Sequence, residues 1–154
     1  MIITLTAAEI RLSIFLAKAR YQAARVAGVT DAKRGDQSSE ETDLTGIGAE
    51  MAFCRAFNVY PDLTIGGAMR GSHDAIWAGR TVDVKGSTLG HARLLAVPWK
   101  TKTPSDIYAL MTGDFPTYTF RGMATATELL DASRLTDLGH GPVYAMPQSE
   151  LALP

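Results

Sequence analysis

Ser72-His73-Asp74-Ala75-Ile76-Trp77-Ala78-Gly79-Arg80-Thr81-Val82-Asp83-Val84-Lys85-Gly86-Ser87 is the stretch on which the reading of the chain turns. Two alternating runs flank an Ala-Gly pair, the pattern of a β-hairpin with a tight turn at Gly79. Side chains alternate along a strand, so Thr81, Asp83, Lys85 and Ser87 share one face, and Val82 and Val84 take the other. With Ala78-Gly79 as a two-residue loop, Trp77 pairs with Arg80 and Asp74 falls opposite Asp83. Carboxylates so placed, with Cβ atoms roughly 4.5–5.5 Å apart, repel each other unless a cation lies between them. Alanine resists positive φ, so a three-residue loop with a bulge at Gly79 competes, and it offsets Asp74 by one position. Alternation alone equally suits a solvated hairpin with a polar face.

The rest of the chain sets bounds. Its 154 residues are one domain's worth, and 46% apolar with 20% charged residues is ordinary globular composition. The lone Cys54 excludes an internal disulfide and suits a reducing cytosol. Glu9 and Arg11 interrupt the first apolar run, which argues against a signal peptide. No run reaches the roughly 18 apolar residues of a membrane span. The expected location is therefore cytoplasmic, with no membrane partner. A net charge of −1 conceals alternating blocks: residues 1–34 sum to +4, 35–69 to −5, 70–102 to +4 and 103–154 to −4. Asp74 and Asp83 lie in a basic block, which would attract a polyanion despite the neutral total.

Thr6-Ala7-Ala8-Glu9 reads as a capping box opening a helix to about Ala27, with Gly28 as its left-handed stop. Ile10, Ile14, Ala17, Tyr21 and Ala24 have the spacing of its core face, and Arg11, Lys18 and Arg25 form a ridge. Residues 29–42 are polar and breaker-rich, so a surface loop is expected. A second helix is expected from about Asp43 to Asn58, with Leu44, Ile47, Met51 and Cys54 as its apolar stripe. Glu50 projects beside that stripe and needs a partner, because an unpaired charge near a core is costly. Cys54 suits a small buried hydrophobe better than a nucleophile.

Residues 92–97 (ARLLAV) read as a central strand, followed by a loop in which Trp99 is interleaved with Lys100 and Lys102. Ile107–Met111 and Tyr118–Arg121 read as two further strands joined across Gly113-Asp114-Phe115-Pro116. Thr125-Ala126-Thr127-Glu128 is a second capping box, opening a helix to about Arg134, and a Gly/Pro-rich tail without long elements closes the chain. The expected layout is α/β or α+β around a mixed central sheet led by the hairpin. One domain spans 1–154: an N-terminal helix and loop (1–42), a core (43–134) and a tail (135–154).

Gly48-Ala49-Glu50 on a helix, Asp74 on a strand and Asp83-Val84-Lys85 on the next resembles the PD-(D/E)xK nuclease superfamily. This is the restriction-endonuclease-like fold of Holliday-junction resolvases and many phage nucleases. The likeness covers roughly Leu44 to Leu130. It implies that Asp74, Asp83 and the Val84 carbonyl bind Mg²⁺, for which Mn²⁺ can substitute, that Glu50 completes the site, and that Lys85 assists the attacking water. A literal Pro-Asp at 61–62 is set aside because Asp62 follows the helix in a loop. The crossover helix usual in the family is shrunk to the 99–105 loop.

The resemblance implies a Mg²⁺-dependent deoxyribonuclease. A cation held by carboxylates neutralises a phosphate oxygen and lowers the pKa of a bound water, and oxygen-only ligands suit Mg²⁺ better than zinc. DNA is the expected partner, contacted by Ser87, Arg93, Trp99, Lys100 and Lys102. A homodimer is expected by analogy, in the host cytoplasm if the chain is phage-encoded. Two alternatives stand beside it: an inactive nucleic-acid-binding module on the same fold, and a phage interaction protein.

Overall fold

The computed structural model describes residues 1–28, 39–66 and 73–154. Most of the loop expected over 29–42, and Ser72 of the hairpin stretch, lie outside them. A short strand β1 (Ile2–Thr4) leads into helix α1 (Ala7–Val26), and helix α2 follows (Ser39–Phe57). The hairpin is β2 (Ala75–Trp77) and β3 (Arg80–Ser87), followed by β4 (Leu94–Ala96) and a 3-10 turn over Pro98–Thr101. Then come β5 (Ile107–Thr112), β6 (Thr117–Thr125), the short helix α3 (Ala126–Leu129), β7 (Leu135–Asp137) and β8 (Pro142–Met146).

The local signals act as the sequence suggests. Thr6 and Glu9 close a capping box on α1, Thr125 and Glu128 close one on α3, and Gly28 takes φ +70° past the end of α1. Serine 39 already opens α2, earlier than the Asp43 expected. Helix α3 stops at Leu129, short of Arg134, which belongs to a separate 3-10 turn.

The chain forms a mixed α+β structure with a five-stranded sheet in the order β1-β6-β5-β3-β2. β3 and β5 run parallel, and the other pairs are antiparallel. β4 is not central as its apolar run suggests. It lies at the edge of a second sheet, β4-β8-β7, because β8, which the Gly/Pro-rich tail concealed, pairs with it.

Val82, Val84, Ile107, Ala109 and Met111 turn toward Ile47, Met51, Phe53 and Cys54 of α2 in one apolar cluster. Tyr108 and Leu110 turn the other way, against Leu94, Leu129 and Met146. Alternation along β5 thus feeds two cores, and β5 is buried on both faces. Gly86 lets α2 approach closely: a Cβ there would lie 2.8 Å from the Ala49 side chain. The buried stripe of α1 is Ser13, Leu16, Ala17 and Arg20, rotated from the expected one, and Ile14 is 49% exposed. That rotation turns Arg20 inward, where it has ionic work to do.

Candidate functional site

The hairpin closes through the two-residue loop, with Trp77 opposite Arg80 and Ala75 opposite Val82. Both loop residues take the left-handed conformation, Ala78 at φ +50° and Gly79 at φ +75°, which is the primed turn that matches strand twist. One step further back the ladder slips. The Asp74 amide donates to the Val82 carbonyl at 2.8 Å, although Val82 is already the partner of Ala75. Two residues thus face one, as in a β-bulge, and the side chain of the extra residue is re-aimed. The Asp74 carboxylate accepts from the Val84 amide at 2.8 Å and lines a cleft of about 680 Å³ with Asp62, Thr64 and His73.

Asp83 keeps its expected face, paired with Tyr108 across the parallel ladder. It is 2% exposed and meets two ammonium groups: Lys85 Nζ lies 2.5 Å from Oδ1, and Lys100 Nζ lies 2.6 Å from Oδ2. The second contact is an ion pair without hydrogen-bond alignment. Lys100 arrives from the 3-10 turn of the crossover between β3 and β5 and is itself buried, whereas Lys85 is 35% exposed. Burial raises the Tyr108 phenol above its ordinary 10.0, a backbone contact at Ser105 opposes this, and the charge of Asp83 adds to it.

Glu50 finds its partner elsewhere. Arg20 Nη1 donates to Glu50 Oε2 at 2.9 Å, while Nη2 and Nε donate to the carbonyls of Asp62 (2.6 Å) and Thr64 (3.1 Å). Asp62 Oδ2 lies 3.7 Å from the same guanidinium, and the Asp62 amide donates to the Asp74 carbonyl. Burial, then the charges of Glu50 and Asp74, push the Cys54 thiol up to about 12. Glu50, Asp62 and Asp74 therefore gather on the α2 side of the sheet, and Asp83 faces the other side.

The expected trio of Glu50, Asp74 and Asp83 is thus divided. A cation was expected to relieve Glu50 and to separate Asp74 from Asp83. Arg20 performs the first task, and the bulge with the two lysines performs the second. Among the described residues no group of three or more His, Cys, Asp or Glu is placed to hold a metal ion. His73 lines the same cleft as Asp74.

Basic and aromatic groups lie along the crossover that delivers Lys100 to Asp83. Trp99 is 59% exposed, with Lys100 Nζ 5.0 Å from its ring centroid. Arg93 and Lys102 are exposed on the same crossover, and Ser87 is half-buried at the end of β3. Sequence reasoning missed Arg121. The β5–β6 register shifts between Leu110, opposite Gly122, and Met111, opposite Phe120, which leaves Arg121 as the extra residue. Its Nε donates to Thr112 Oγ1 at 2.6 Å, and Thr112 pairs with Ser87. The available signal was Gly122, at φ +134°, interrupting a strand.

A family model described as a family of unknown function (DUF5843) matches residues 1–152. No curated protein matches the chain, and no solved structure does. Among the described residues, no helix is long and apolar enough to cross a membrane.

Proposed function

We propose, for a chain that belongs to the DUF5843 family of unknown function, that the Asp83 face of the sheet binds the phosphate backbone of nucleic acid. The observation that carries this reading is the convergence of Lys85 and Lys100 on one buried carboxylate. Lys85 is partly open to solvent, and Arg93 and Lys102 are exposed on the crossover that carries Lys100. Asp83 holds the two amines in fixed positions, so they lose little side-chain entropy when a phosphate arrives. Backbone binding of this kind releases counterions and therefore weakens as salt rises.

The test is a titration of labelled DNA at several salt concentrations. Binding should weaken linearly in log–log form, and Lys85→Ala and Lys102→Ala should each reduce the slope by about one. Lys100 is left untouched because it is part of the buried cluster. Absent or salt-independent binding sinks the reading.

A second reading is metal-dependent phosphodiester hydrolysis on a restriction-endonuclease-like fold. It is favoured by the order of elements: a helix, a hairpin carrying Asp-x-Lys, a crossover, and a strand parallel to the one that bears the triplet. For Asp83 to serve a cation, its lysine partners would have to withdraw. Plasmid and single-strand cleavage with Mg²⁺ or Mn²⁺, compared with chelator, decides the matter. Metal-dependent cleavage lost in Lys85→Ala supports the enzyme, and intact DNA throughout leaves the binding reading alone.

A further inference from the structure

We infer that the Asp83 face takes its nucleic acid as an unpaired strand, with a base stacked on the indole of Trp99. The inference rests on the nucleic-acid reading above and deepens it by naming the strand state.

Trp99 is a large aromatic, mostly exposed, on a segment that is otherwise pinned. Pro98 opens the 3-10 turn with its φ restricted by the ring. The Lys100 amide donates to the Val97 carbonyl at 3.0 Å, the Lys102 amide to the Trp99 carbonyl at 3.1 Å, and the Thr101 hydroxyl to the Pro98 carbonyl at 2.9 Å. The Lys100 side chain ties the turn to Asp83 beneath it. The indole is thus presented by a braced turn, and Lys100, which braces it, also lies against the ring.

An exposed, braced aromatic ring with the Lys100 ammonium against it, on a crossover that also carries the exposed Arg93 and Lys102, matches the chemistry of a base joined to a phosphate. The ring offers a π-face and the amines meet the backbone. A duplex keeps its base faces stacked on one another, so it can use the amines and not the indole. The two halves of the surface therefore predict different strand preferences, and Trp99 carries the difference.

The chain has two tryptophans, Trp77 and Trp99. Trp77 packs edge-on against Phe57, with ring centroids 5.4 Å apart. A Trp77→Phe background makes Trp99 the sole indole reporter in the full chain. Titration with an oligothymidylate should quench its fluorescence, and a duplex of equal length should bind with little quenching. Trp99→Ala and Trp99→Leu should weaken single-strand binding roughly tenfold and leave duplex binding within about twofold. Trp99→Phe should retain most of the affinity, because a ring is still present. Equal losses on both substrates, or a Trp99→Leu variant that binds like the parent, overturn the stacking inference while salt-dependent binding persists. Failure to bind either substrate at low salt overturns it together with the reading beneath it.

Discussion

At Ala78 an L residue with a Cβ occupies φ +50°, a conformation that favours glycine or asparagine. The strain is tolerated because the primed turn matches the twist of β2 and β3, and Gly79 takes the second left-handed position without cost in sterics. Ala78→Asn should therefore raise stability by about 0.5–1 kcal/mol, read as a higher urea midpoint with an unchanged slope. An unchanged or lower midpoint would show that the turn carries no strain to relieve. Glu50 teaches the complementary lesson. That a carboxylate beside the apolar stripe of α2 needs a partner was legible from spacing. That the partner is Arg20 was not, because the identity depends on α1 packing against α2 and on the loop at Asp62–Thr64 folding back to offer carbonyls. The ridge of Arg11, Lys18 and Arg25 drew attention away from Arg20, which is 7% exposed.

At the scale of elements, β3 is governed by Asp83. Removing one member of a buried ion pair leaves the other charge uncompensated, a loss of about 3–5 kcal/mol. Asp83→Ala strands two ammonium groups and should fall in that range by chemical denaturation, whereas Lys85→Ala, at the open edge of the cluster, should cost under about 1 kcal/mol. Equal costs for the two would mean that Asp83 is not the centre of the cluster. A loss of function in Asp83→Ala alone would thus report folding as much as chemistry. Elements with local signals were legible: both capping boxes, the hairpin, α2, and the β5–β6 pair across Gly113–Pro116. The second sheet was not. β4 and β7 have three residues each, and β8 was hidden between Gly141 and Pro147; β7 and β8 pair locally, but β4 joins them only through partners some fifty positions away along the chain. The two bulges, at Asp74 and Arg121, lie inside hairpins and depend on a one-residue slip of register against partners about ten positions away. A single slipped position at the first decides which face Asp74 joins.

For the molecule as a whole, buried neutral groups on one side and exposed, hydrogen-bonded carboxylates on the other set the pH range in which the fold is stable. Burial, then the charges of Glu50 and Asp74, hold the Cys54 proton from the ordinary 9.0 to about 12. Burial also raises Tyr108 and Tyr118 above their ordinary 10.0. In the unfolded chain these groups ionise at their ordinary values, so between those values and the raised ones the folded state binds more protons. Stability is then complete below about pH 9 and falls as pH rises, by up to about 1.4 kcal/mol per pH unit from the one thiol. On the acid side, hydrogen bonds from the Thr125 backbone and side chain lower Glu128. At Glu9, burial pushes upward and is outweighed by bonds from Thr6 and Arg55. Lowered carboxylates stabilise above their unfolded values near 4.5 and lose that contribution as pH falls through the folded ones. Melting temperature plotted against pH should therefore be flat through neutrality and decline at both ends. In Cys54→Ala the whole curve should drop for loss of packing, and its decline between pH 9 and 12 should become shallower. If the variant's alkaline limb runs parallel to the parent's, the thiol is ionising freely and the packing of α2 against Asp74 is looser than described.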